Sequence, residues 1–199
     1  MSHAMATNAG TAFEPGAGVY DKKLGMWVFL GSEVMFFTAL IGTYIVLRFG
    51  AAETWPLPSS VLNIPVTAVN TFILICSSVS MVKAYAAAVE GNGKGLRFWL
   101  LITVLGGATF VGVQVYEYMQ LVGHGFAPSS GLFGSTFYTM TGFHGFHVSM
   151  GVICMSWVTV QAHRGKYDNG RYEGVETIGL YWHFVDLVWI ILFTIVYLI

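Results

Sequence analysis

Charge is what this chain has least of. Asp, Glu, Lys and Arg make up 10% of its 199 residues, where a soluble domain carries about a quarter. That scarcity excludes an ordinary water-soluble globule. A net charge of −1 excludes a chain built around nucleic acid or another polyelectrolyte. There are only two cysteines, Cys76 and Cys154, and both fall in apolar runs. They form no disulfide framework, and the redox compartment cannot be read from them. The opening stretch, MSHAMATNAGTAFEPGAGVYDKK, has no hydrophobic centre. It is therefore expected not to be a cleaved signal peptide, which leaves insertion to the first apolar run. Internal repeats are lacking too, as is any segment large enough for an extramembrane domain.

What remains is membrane material. The chain is 55% hydrophobic, with 24 glycines and six tryptophans, residues favoured within or beside membrane helices. Nearly uncharged runs occur at 24–47, 65–82, 98–116, 135–160 and 177–199. Each meets or approaches the roughly 20 residues a helix needs to cross the hydrocarbon core. They lack the alternation of a membrane β-barrel. The expected fold is all-α, a bundle of five transmembrane helices covering 22–199, after a polar tail over 1–21. Lys22, Lys23, Lys83, Lys94, Arg97, Arg164, Lys166 and Arg171 share one side, and Arg48 alone falls on the other. Positive-inside bias then puts the N-terminus in the cytoplasm and Ile199 outside.

Against this background a few ionisable residues stand out. Glu33 is the only charge between 24 and 47, and carboxylates are costly in membrane spans. The fourth run carries His144 and His147, the fifth His183 and Asp186, each pair three residues apart and so near one helix face. Glu33 lies about 13 Å and His183 about 10 Å from the basic end, with His147 within about 10 Å of it. A single buried network of Glu33, His147, His183 and Asp186 is geometrically possible, with His183 and Asp186 as an orienting pair. The bland reading of the histidines is packing between helices beside Gly142, Gly145 and Gly151. Glu117 sits at the outer end of the third run, where an interfacial carboxylate costs little.

LGMWVFLGSEVMFF, FGSTFYTMTGFHGFHVSMG and LYWHFVDLVWIILFTIVYL resemble the signature segments of subunit III of haem-copper respiratory oxidases, the cytochrome c oxidase subunit III family. The resemblance runs from about Lys22 to Ile199 and fits the family's short bacterial form. It implies a non-catalytic subunit that binds no haem or copper, both of which are expected in partner subunits. It also implies packing beside oxidase subunit I, with subunit II and small subunits nearby, in the bacterial cytoplasmic (inner) membrane. Supporting assembly, binding phospholipid, aiding proton uptake and protecting the complex during turnover are the implied tasks. Glu33 matches the family's buried, carbodiimide-reactive acid. His144 and His147 match its HGxHV positions, and Tyr181, Trp182, His183 and Asp186 its YWHxxD string. Glu117 and Tyr118 match a family Glu-Tyr. The short form lacks two preceding helices, and with them one wall of the family's lipid-filled cleft. A membership in a respiratory supercomplex is left open.

Rival readings stay in view. A quinol oxidase subunit III or an accessory protein of nitric oxide reductase would remain in the superfamily. An electron carrier would hold haem between His147 and His183, and a small transporter would use Glu33 with His147 as relay.

Overall fold

The computed structural model describes residues 21–51, 55–167 and 172–199. The tail up to residue 20, and Arg171 among the topology-setting cations, lie outside the described residues. No strand occurs in what is described. Six α-helices follow in order: α1 Asp21–Gly50, α2 Pro58–Val61, α3 Ile64–Val89, α4 Gly93–Gly123, α5 Leu132–His163 and α6 Glu173–Phe193. A π-turn over Thr194–Leu198 ends the chain's last helix. Five of these are long and apolar enough to cross a membrane, as the five runs predict.

The helices outlast the runs at their ends. Lys83 lies inside α3, Lys94 and Arg97 inside α4, Glu173 and Glu176 inside α6. Charged side chains on apolar stems can reach the headgroup layer while their backbone stays helical. Polar caps set the starts. Asn63 Oδ1 accepts from the Val66 amide at 3.4 Å, with proline in the first turn of α3. Asn92 Oδ1 accepts from the Gly95 amide at 2.9 Å at the head of α4. Between these helices Gly91 takes φ +71°, a left-handed conformation that glycine adopts without steric penalty.

α6 is the centre of the bundle, packed on α1, α3 and α5, while α4 lies between α3 and α5. α1 is peripheral. It touches α5 and α6, and only Leu30, Phe37 and Tyr44 along its length are buried. Polar clamps at both ends supplement this thin contact. At the basic end Lys23 Nζ meets Glu176 Oε1 at 2.5 Å, and Lys22 lies 3.7 Å from Glu173. At the far end the Arg48 guanidinium donates to the carbonyls of Ile195 and Ile199. A cation there complements the unpaired carbonyls and negative dipole of a helix terminus.

Candidate functional site

The polar interior is organised by α3. Its buried side chains recur every three or four residues, so one face carries Thr67, Asn70, Thr71, Ser77 and Ser78. Each meets a neighbouring helix. The Thr67 hydroxyl donates to Glu117 at 2.5 Å, and Asn70 Nδ2 to the Phe110 carbonyl at 3.1 Å. The indole N–H of Trp189 donates to Thr71 Oγ1 at 2.8 Å, and that of Trp182 to Ser77 Oγ at 3.1 Å. Ser78 Oγ lies 2.7 Å from His183 Nδ1. In lipid, helix association depends on such polar contacts and on close packing, because the surroundings are as apolar as the core. Thr71→Val keeps the shape but leaves the Trp189 N–H without an acceptor. The expected loss is about 0.6 kcal/mol, the average for such membrane hydrogen bonds, read as unfolding free energy in mixed detergent.

Glu33 meets His147 across the α1–α5 seam. Glu33 Oε2 lies 3.0 Å from His147 Nε2, with side chains 17% and 12% exposed. His147 Nδ1 sits 2.7 Å from the Phe143 carbonyl. A carbonyl can only accept, so Nδ1 carries a hydrogen and Nε2 is left to share one proton with the carboxyl. Two protonation states place complementary groups at this distance, a carboxylic acid beside a neutral ring or a carboxylate beside an imidazolium, with Oε2 not aligned for a hydrogen bond. Phe37, Phe146 and Phe36 surround the ring at centroid distances of 5.1, 5.8 and 6.2 Å. The Tyr181 hydroxyl donates to the His147 carbonyl at 2.9 Å, joining α6 to the same turn of α5.

The single network expected from the sequence divides into separate clusters. His183 and Asp186 do not hydrogen-bond each other. Both face Ser78 on α3, and Asp186 Oδ1 has no protein partner among the described residues. The physical reason is rotation. Tyr181 and His183 are two residues apart, about 200° around a helix of 3.6 residues per turn, so Tyr181 reaches α5 while His183 reaches α3. The haem reading needs His147 and His183 on a common ligand, yet His147 is bonded toward α1 and His183 toward α3. His144 forms a third cluster. It is fully buried, stacks on Trp189 at 4.8 Å and 24°, and meets the edge of Phe110 at 5.9 Å. Neither of its ring nitrogens has a protein partner among the described residues. Among the described residues no three His, Cys, Asp or Glu side chains come together as a metal site would require.

Trp182 occupies a slot cut by two glycines. An added Cβ at Gly107 of α4 would come within 2.5 Å of its ring, and one at Gly151 of α5 within 2.9 Å. Glu117 is half-buried and accepts a hydrogen bond from Thr67. Next to it Tyr118 bonds the Thr141 hydroxyl at 2.6 Å, and Gln114 donates to the Thr141 carbonyl at 3.2 Å. The α3 hydroxyl face and the Gln114–Thr141 contact are what a charge-led reading of the sequence passes over. Their signal was available as polar residues spaced three to four apart within an apolar run.

A sequence profile described as Cytochrome c oxidase subunit III matches residues 14–199. The chain is 41% identical over 177 residues to a "Probable cytochrome c oxidase subunit 3" of Mycobacterium tuberculosis, covering 89% of this chain and 87% of that protein. It is 41% identical over 178 residues to "Cytochrome c oxidase subunit 3" of Thermostichus vulcanus, with the same coverage. With a "Probable cytochrome c oxidase subunit 3" of Nocardia farcinica it shares 37% identity over 203 residues, covering 97% and 98%.

Proposed function

The chain belongs to the cytochrome c oxidase subunit III family, and on that premise we propose that it is the non-catalytic third subunit of a proton-translocating terminal oxidase. Membership makes it a multi-pass membrane subunit of an oxidoreductase complex. The finer reading is that this chain holds no catalytic centre, haem and copper residing in partner subunits. It packs beside subunit I in the bacterial inner membrane, N-terminus in the cytoplasm, and supports assembly, lipid retention, proton uptake and turnover lifetime. The names of its relatives favour cytochrome c over quinol as the electron donor.

The observation that carries this is the Glu33–His147 pair. α1 buries three side chains and needs polar anchors to stay on the bundle. A carboxyl and an imidazole 3.0 Å apart supply a polar contact across the α1–α5 seam, inside an aromatic shell, that a small adjustment of either side chain would turn into a hydrogen bond. Glu33 is retained in the membrane to fix α1, and through α1 the surface that a partner and its lipids meet. His144, His183, Asp186, Tyr181 and Trp182 hold the neighbouring helices in register around it.

The test is affinity purification of the chain in mild detergent, with mass spectrometry and a visible spectrum of the eluate. Co-elution with a haem- and copper-bearing subunit that consumes oxygen is the expected result. A lone chain carrying its own haem band would overturn the reading, and a lone colourless chain that conducts protons in liposomes would replace it with the transporter.

A further inference from the structure

Two concavities meet on the outward side of α5, in the half of the helix away from the basic cluster. One encloses about 420 Å³ and is walled by Tyr138, Phe143 and Phe146. The other encloses about 130 Å³ against α4, between Val115 and Ser149. Gly142 lines both. Together they form a groove from Tyr138 to Ser149, roughly 16 Å along the helix. Its floor is glycine. A Cβ added at Gly142 would meet nothing within 4 Å, so among the described residues no neighbouring element covers that stretch of backbone. Phe143 makes a firm wall, met edge-on by Phe36 of α1 at 5.2 Å.

Small residues alone would not mark a site, since they are common on membrane helices. This groove also holds an acceptor with nothing to accept. Gln114, 6% exposed, lines the smaller concavity. Its Nε2 donates to the Thr141 carbonyl at 3.2 Å, and a carbonyl only accepts, which fixes the orientation of the amide. Oε1 is turned toward Gly145, where an added Cβ would lie 3.3 Å from it. It has no hydrogen-bond partner among the described residues, and a buried acceptor without a donor is costly. Acyl chains bring no N–H or O–H to meet it. A helix seated on glycine does, because the close approach of the backbones carries short polar side chains across the seam.

We infer that this groove seats a transmembrane helix of another subunit of the oxidase complex. The contacting face of that helix carries small residues against Gly142 and one hydroxyl or amide donor for Gln114 Oε1. The inference rests on the oxidase reading above, which makes this chain one of several membrane subunits. It gives the assembly a contact on α4 and α5 in addition to the α1 surface.

The experiment uses the intact complex, purified in mild detergent, with a photoreactive benzoylphenylalanine in place of Phe146, which is 60% exposed beside the groove. Irradiation followed by mass spectrometry should join this position to a membrane helix of a different subunit. Gly142→Leu fills the groove without touching the chain's own packing, and should lower retention of that subunit about tenfold. Gly112→Leu, where an added Cβ also meets nothing within 4 Å, should leave retention unchanged. Gln114→Met drops the amide at similar length and should lower retention about fivefold, the worth of one hydrogen bond. Adducts with lipid alone, or with a second copy of this chain, would overturn the proposal, as would full retention in Gly142→Leu. Absence of a haem- and copper-bearing subunit from the preparation would count instead against the oxidase reading, before any adduct is read.

Discussion

Glu33→Ala should loosen α1 by about 1–2 kcal/mol, a factor of about five to thirty in the docked population. The figure is smaller than the roughly 3–5 kcal/mol seen when a buried ion pair loses one member. The difference lies in the proton. Without Glu33, His147 can stay neutral, keep its Nδ1–H on the Phe143 carbonyl, and leave only Nε2 without a partner. Glu33→Gln separates the two protonation states. A glutamine amide can donate to a neutral Nε2 as a carboxylic acid would, so near-wild-type behaviour identifies the neutral pair. If glutamine behaves like alanine, the pair is an ion pair. The readouts are retention of the subunit in the complex, turnovers before inactivation, and the protonated-carboxyl band in infrared difference spectra. Wild-type lifetime and assembly in Glu33→Ala would remove the anchor role altogether.

His147→Ala supplies the complementary arm. It leaves Glu33 Oε2 without its neighbour at 3.0 Å in a shell of phenylalanines, and an unpaired acid there has no comparable fallback. It should therefore be at least as damaging as Glu33→Ala. The double variant should cost less than the sum of the two, because residues in contact couple.

The five membrane helices were legible because the bilayer leaves a chain few choices. A backbone without water must close its hydrogen bonds internally, so an uncharged run of sufficient length is a helix whatever its neighbours do. The helix ends were less legible. Lys83, Lys94 and Glu176 interrupt the hydropathy but not the helices: Glu176 is paired with Lys23, and the Lys83 ammonium lies over the Trp99 ring. Depth could be read, and Glu33 and His147 do meet as their similar depths allow. Rotation could not. His183 lies at a similar depth, yet it faces α3, and nothing in i,i+3 spacing says which neighbour a face will find. The hydroxyls of α3 escaped notice for a related reason: Thr and Ser are cheap enough in a membrane that their presence alone signals little. Their partners Trp182 and Trp189 became informative only once the helices were placed.

Gly107→Ala sets two effects of opposite sign against each other. Alanine favours a helix over glycine by about 1 kcal/mol. At Gly112, five residues along α4, an added Cβ meets nothing within 4 Å, so Gly112→Ala should be neutral or stabilising. At Gly107 the same carbon would lie 2.5 Å from the Trp182 ring and 2.8 Å from Val152. The ring cannot simply swing away. Its N–H is held by Ser77, and Gly151 closes the opposite side at 2.9 Å. Overpacking of a closed site costs roughly 1–3 kcal/mol, more where the obstacle is a rigid indole, so the clash should win. The expected pattern is loss of stability at Gly107 and none at Gly112, measured as unfolding midpoints in mixed detergent. Trp182→Phe in the Gly107→Ala background should recover part of the loss, with a coupling of about 1 kcal/mol or more. Equal midpoints for Gly107→Ala and Gly112→Ala would mean that the slot around Trp182 gives way easily. In that case Trp182 would be packed loosely between the glycines, and the close approach of α6 to its neighbours would rest on the α3 hydroxyls instead.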